Sequence, residues 1–159
     1  MFLDRSFSGA TASGNELLSL RVLPWREFGT TVITVLVVDD RSANRAGLKS
    51  LLEDRGYVVE TANNGRQALA LYRQLRPDVV VLDLFMPVMN GFDALVLMRQ
   101  EDPQAKVLAV ADAGGHMGED ALAEALELGA RRALEKPVEP WQLFAAIDEV
   151  LSEDPYSPR

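Results

Sequence analysis

Three carboxylates stand where apolar runs of the sequence end, and one ammonium closes a short stretch further on. Asp39-Asp40 closes the run 31–38, Asp83 closes the run 79–82, and Lys136 follows 132–135 and is itself followed by Pro137. A carboxylate at the tip of a buried strand is costly to desolvate unless a cation or hydrogen bonds meet it. Asp40 and Asp83, with one backbone carbonyl and several waters, would make an octahedral oxygen site suited to Mg²⁺. Lys136 would then supply a point charge to an oxygen of a phosphoryl group. The sequence has no G-x-G-x-x-G and no G-x-x-x-x-G-K-[ST], so no glycine cradle for phosphate is spelled out. The pocket should hold a hard cation first and a phosphate only through it.

Strands must carry these residues to one place. The runs 31–38 and 79–82 are apolar and rich in β-branched residues, as in strands buried on both faces. Further strands are read at 57–61, 106–111 and 132–135. Helical spacing of apolar residues runs through 44–55 (Ala46, Leu48, Leu51, Leu52) and 67–75 (Ala68, Leu71, Tyr72, Leu75). It recurs over 92–100 (Phe92, Leu95, Met98), 119–128 and 139–151, where Trp141, Phe144, Ile147, Val150 and Leu151 are expected to face inward. The segment 112–118, Asp-Ala-Gly-Gly-His-Met-Gly, reads as a loop, with Asp112 as a loop or cap residue and His116 exposed in it. Five strands alternating with five helices require a parallel sheet covered by helices and joined by right-handed crossovers. Ligands of such sheets gather beyond the carboxyl ends of the strands, which is where these charges lie.

Composition narrows the classes of function. The 159 residues suffice for one domain, nearly half of them are hydrophobic, and there is no cysteine for a disulfide, thiolate site or nucleophile. No apolar run approaches a membrane span, and the start Met1-Phe2-Leu3-Asp4-Arg5 lacks the features of a secretory signal, so the cytoplasm is expected. A net charge of −8 argues against nucleic acid as the partner. Residues 1–30 hold a Ser-, Gly-, Thr- and Ala-rich stretch without periodicity and read as a disordered extension. The folded domain is placed at 31–152, and 153–159, with two prolines, reads as a frayed tail.

Taken together, Val37-Val38-Asp39-Asp40, Leu82-Asp83-Leu84-Phe85-Met86-Pro87-Val88-Met89-Asn90-Gly91 and Gly129-Ala130 before Glu135-Lys136-Pro137 resemble the receiver domain of two-component response regulators. The resemblance covers residues 33–151. It implies a flavodoxin-like α/β fold, a five-stranded parallel sheet of order 2-1-3-4-5 with helices on both faces. It also implies that Asp83 accepts a phosphoryl group from a sensor histidine kinase or a histidine phosphotransfer protein, with Mg²⁺ as cofactor. Asp39 and Asp40 match the metal acids, Asp40 ligating directly and Asp39 through water, while the backbone carbonyl of Phe85 completes the shell. Lys136 matches the lysine that pairs with Asp83 or the phosphoryl group, and its peptide bond to Pro137 is expected to be cis. Phosphoryl transfer needs alignment and charge neutralisation, which such a set supplies.

Two positions depart from the family pattern. Ala111 stands where a Ser or Thr follows the phosphoryl oxygen, and Ala133 stands where the switch aromatic is found. Both moving parts are missing, so the signal is expected to pass through the 112–118 loop, longer than usual, and the helix after it. Phe85 and Ala113 flank the expected path of hydrolytic water and cannot orient it, which implies a long-lived acyl phosphate. The expected protein is a single-domain regulator, not an enzyme, monomeric or weakly dimeric, which signals to a downstream protein without touching nucleic acid or membrane. The rival reading is a receiver-like docking module that works without phosphorylation. A phosphohydrolase with an Asp nucleophile would need a second acid shortly after Asp83, and Phe85 occupies that region.

Overall fold

The computed structural model describes residues 31–153 except 113 and 115, with the side chain of 116 also left out. The expectations for 1–30, for Ala113 and for the tail from 154 lie outside the described residues. Among the described residues five strands alternate with five helices. They are β1 (Thr34–Val38), α1 (Ser42–Asp54), β2 (Val58–Ala62), α2 (Gly65–Leu75), β3 (Val79–Asp83), α3 (Gly91–Glu101), β4 (Val107–Asp112), α4 (His116–Glu127), β5 (Arg132–Lys136) and α5 (Pro140–Ser152). The strands form one parallel sheet of order β2-β1-β3-β4-β5, the flavodoxin-like order expected.

Alternation along each strand divides the core in two. Leu36, Val38, Val80, Leu82 and Ala109 point to the side packed by Ala68, Leu69 and Tyr72 of α2, Leu95 and Met98 of α3 and Ala125 of α4. Val35, Val37, Val79, Val81, Leu108 and Val110 point to the other side, against Leu52 of α1 and Leu143, Ile147 and Val150 of α5. The three inner strands are apolar on both faces because both faces are covered. In the edge strand β2 only Val59 and Ala62 are buried.

Local chemistry sets the helix boundaries. Asn64 accepts a hydrogen bond from Gln67 N (2.9 Å) and Asn90 accepts one from Asp93 N (2.9 Å), so each caps the helix that follows it. Gln142 Oε1 accepts from Glu139 N (3.0 Å) at the start of α5, where Pro140 costs no helical hydrogen bond. At Gly91 the start of α3 presses against the end of β3. A Cβ there would lie 2.3 Å from the carbonyl oxygen of Asp83 and 2.6 Å from Leu84 Cα.

Several sequence expectations are corrected. Trp141 does not face inward but is 69 % exposed; the buried face of α5 runs through Leu143, Ala146, Ile147 and Val150, and at about 100° per residue Trp141 falls on the opposite side of the helix. Ala46 is exposed, and the buried stripe of α1 runs through Leu48, Leu51 and Leu52. The 112–118 segment is not a long loop. β4 continues through Asp112 and α4 begins at His116, so His116 belongs to a helix and only residues 113–115 connect the two.

Candidate functional site

Parity along the strands decides which side chains meet. Asp39 follows Val35 and Val37, Asp83 follows Val79 and Val81, and Lys136 follows Arg132 and Leu134. All three therefore leave the sheet on the α1/α5 side at its carboxyl edge. Lys136 Nζ lies 2.9 Å from Asp39 Oδ2 and 3.2 Å from Asp83 Oδ2, bridging the two acids. Asp39 and Asp83 are nearly fully buried, at 2 % and 5 % exposure. One ammonium shared between two such carboxylates offsets part of a desolvation cost of several kcal/mol per ion.

The remaining valences of the acids are filled locally. Arg41 N donates to Asp39 Oδ1 (2.8 Å) and Asn44 Nδ2 to Asp39 Oδ2 (3.2 Å). The Arg45 guanidinium donates to the Asp39 carbonyl (2.7 Å). Phe85 N donates to Asp83 Oδ1 (3.1 Å), which fixes the rotation of that carboxylate. Asp39 thus does not cap α1 through a free helix amide; it anchors the approach to α1 at Arg41. Burial pushes the Asp83 carboxyl above its usual value, against the opposing pull of Lys136 and Phe85 N–H. For Lys136 burial alone would lower the ammonium, but the hydrogen bond and charges of Asp39 and Asp83 outweigh it and the net direction is up.

Asp40 is exposed beside this pair. One carboxylate oxygen from each of Asp39, Asp40 and Asp83 lies within 4.8 Å of the others. Three converging carboxylates, all hard oxygen donors, with Lys136 as the only ammonium bonded to them among the described residues, suit Mg²⁺ or a similar cation. Phe85 follows Asp83 by two residues; its ring is 45 % exposed and meets Phe92 edge-on at 6.2 Å. The Lys136–Pro137 peptide bond is cis, as expected.

The two departures lie elsewhere. Ala111 is fully buried on the opposite side of the sheet, in the core shared with α3 and α4. Ala133 is half-buried in β5, paired in register with Ala109. Asp112, expected in a loop, is instead the last residue of β4, in register with Lys136 and on the same side as Asp39 and Asp83. It lines a cleft of about 640 Å³ with Asp39, Asp83, Lys136, Arg41 and Asn44. Sequence reasoning missed Arg41, Asn44 and Asp112. The signal for Asp112 was its even spacing from Leu108 and Val110, hidden by ending the strand one residue early.

A doubly wound parallel sheet with an acidic cluster and a lysine at its carboxyl edge defines a class of α/β signalling and binding domains. Comparison with known proteins narrows it. Residues 35–148 match the sequence model of the response regulator receiver domain. The chain is 38 % identical over 118 residues to the chemotaxis protein CheY of Thermotoga maritima, covering 73 % of this chain and 95 % of that protein. It superposes on a response regulator receiver domain protein from Clostridium thermocellum with a TM-score of 0.71 and 30 % identity, covering 76 % of this chain and 94 % of that one. The chemotaxis protein CheY4 of Vibrio cholerae gives a TM-score of 0.68 and 33 % identity over 76 % of this chain and 100 % of that one. The chain belongs to the response regulator receiver domain family. It is a signalling domain of the two-component type rather than a classical enzyme. Among the described residues no helix is long and apolar enough to cross a membrane.

Proposed function

We propose that this protein is a cytoplasmic response regulator that takes a phosphoryl group on Asp83 from a sensor histidine kinase or a histidine phosphotransfer protein. It then signals through protein–protein contacts, as a monomer or weak dimer, without binding nucleic acid or membrane. The observation that carries this reading is the Asp83 carboxylate itself. It is buried, held in one rotation by Phe85 N–H, and met by Lys136 at the floor of an open cleft. In the transfer a bond forms between a carboxylate oxygen of Asp83 and the donor's phosphorus as the bond from phosphorus to the donor's leaving atom breaks. The electron pair departs with the leaving group, and an acyl phosphate remains on Asp83. Lys136 exchanges its contact with Asp83 for one to a phosphoryl oxygen while keeping Asp39, so the added negative charge is met by an ammonium already in place. Mg²⁺, held by Asp39, Asp40, Asp83 and the Phe85 carbonyl, would neutralise oxygen charge on the transferred group when bound.

The test is incubation with acetyl phosphate or phosphoramidate and Mg²⁺, followed by intact mass. Wild type should gain about 80 Da, the mass of one phosphoryl group, and Asp83→Ala should gain nothing. A second reading, a docking module independent of phosphorylation, is favoured by Ala111, whose buried methyl offers no hydroxyl to follow a phosphoryl oxygen. Unmodified wild type that still binds its partner would select that reading.

A further inference from the structure

The mouth of the cleft carries a charge pair that the reading above does not use. Arg41 follows the acidic pair directly, and its backbone is pinned because its N–H donates to Asp39 Oδ1 at 2.8 Å. From there its guanidinium reaches across the opening to Asp112 Oδ2, 3.9 Å away. Both side chains are more than half exposed, at 65 % and 55 %, and both line the cleft that holds Asp83 and Lys136. A long, exposed pair of this kind contributes little to stability, so it breaks easily. Its value lies in where it stands.

The charged residues that line the cleft are three carboxylates, Asp39, Asp83 and Asp112, and two cations, Arg41 and Lys136, with Asp40 beside them and Arg45 bonded to the Asp39 carbonyl. Lys136 is committed to Asp39 and Asp83 at the floor. Arg41 is the cation at the rim, and a planar guanidinium matches two oxygens of a phosphate in a way that an ammonium does not. Asp112 competes for that same guanidinium. We propose that Arg41 captures the donor's phosphoryl group at the mouth of the cleft and that Asp112, by holding Arg41 in the resting state, acts as the latch that sets how readily it does so. This rests on Asp83 being the phosphoacceptor. The two residues are positioning residues: the bond to phosphorus still forms at Asp83, and the leaving group still departs with its electron pair.

The test uses the full chain with acetyl phosphate and Mg²⁺, reading the rate of phosphorylation by intact mass at several salt concentrations. Arg41→Ala should slow phosphorylation several-fold, most strongly at low salt, since exposed charges are screened within about 8–10 Å at moderate ionic strength. Arg41→Lys should recover part of the rate. Asp112→Asn should accelerate it several-fold. In the Arg41→Ala background that gain should largely vanish, because the residue Asp112 restrains is gone. Equal gains from Asp112→Asn in both backgrounds would show a simple repulsive field and overturn the latch. An Arg41→Ala protein phosphorylated at the wild-type rate would overturn the capture. If the wild type takes no phosphoryl group, the underlying reading of Asp83 falls, and this proposal with it; if the wild type is labelled but all variants behave alike, only the proposal falls. Both sites are exposed, and unchanged thermal midpoints check that each variant is folded.

Discussion

Lys136 and Asp39, 97 positions apart in the chain, stand 2.9 Å apart at the carboxyl edge of the sheet, and the same ammonium reaches Asp83 at 3.2 Å. The ammonium therefore competes for the oxygens that would hold a divalent cation. Removing it should have two opposite effects. Lys136→Ala should bind Mg²⁺ about tenfold more tightly, because a unit positive charge beside the ligand oxygens is lost. The same variant should accept phosphate from acetyl phosphate far more slowly, because no ammonium meets the transferred group. Calorimetric titration with Mg²⁺ and intact mass on the same sample measure both, and weaker Mg²⁺ binding by the variant would contradict the competition.

Val88 adopts a backbone φ of +73°, a left-handed conformation unfavourable for a β-branched residue, in the segment between Asp83 and α3. Its side chain is 76 % exposed, so little packing offsets the strain. Such a conformation costs about 1–2 kcal/mol in an ordinary residue, and Asn tolerates it better. Val88→Asn should raise stability by about 1 kcal/mol, read as an increased urea midpoint with unchanged slope. A lowered midpoint would mean that Val88 makes a contact worth more than its strain.

The sheet was legible because its signal is periodic and strong. The runs ending in Asp39 and Asp83 admit few structures other than buried parallel strands, and evenly spaced parity carries both acids to the α1/α5 side. Lys136 was legible through its Pro137 neighbour and its place at the end of a short expected strand. What was not legible depended on strand ends and on helix placement. Asp112 looks like a loop residue because Gly114-Gly115 follows it, yet it pairs with Lys136 as the last member of β4. Trp141 fits a stripe with Phe144, Ile147 and Leu151, but the buried face of α5 runs through Leu143, Ala146, Ile147 and Val150, rotated about the helix axis from that stripe, and packing against the sheet selects between the two. Arg41 and Asn44 carry no periodic signal; only the position of Asp39 gives them a role.

Gly91 tests how closely the start of α3 must approach the site. A Cβ at this position would collide with backbone, 2.3 Å from the Asp83 carbonyl oxygen and 2.6 Å from Leu84 Cα, and backbone does not rotate away as a side chain would. Gly91→Ala should therefore cost about 3 kcal/mol or more and lower phosphorylation of Asp83 as well. Gly47, inside α1 with nothing within 4 Å of its would-be Cβ, gives the opposite sign. Gly47→Ala should stabilise by about 0.5–1 kcal/mol. Urea denaturation of the two variants side by side should separate them by several kcal/mol, and equal midpoints would refute the close approach.

Tyr72 links α2 to the end of α3 through a hydrogen bond from its hydroxyl to Asp102 Oδ2 at 2.7 Å. Burial, and then that bond to a carboxylate, raise the phenol well above its ordinary value of 10.0. In the unfolded chain the phenol ionises near its ordinary value, while in the folded protein it keeps its proton to higher pH. The stability conferred by the neutral phenol is thus fully present below the unfolded value and is lost as pH climbs from there toward the folded one. Within that window the loss should approach about 1.4 kcal/mol per pH unit. Tyr72→Phe should be less stable at neutral pH by about 1 kcal/mol, the usual net worth of such a bond. It should also lack this alkaline limb, so the gap between wild type and variant narrows as pH rises from about 10 toward the folded value. Denaturation midpoints of both proteins across that range measure the gap, and a difference that stayed constant, or widened with pH, would show that the phenol is not held protonated by the fold.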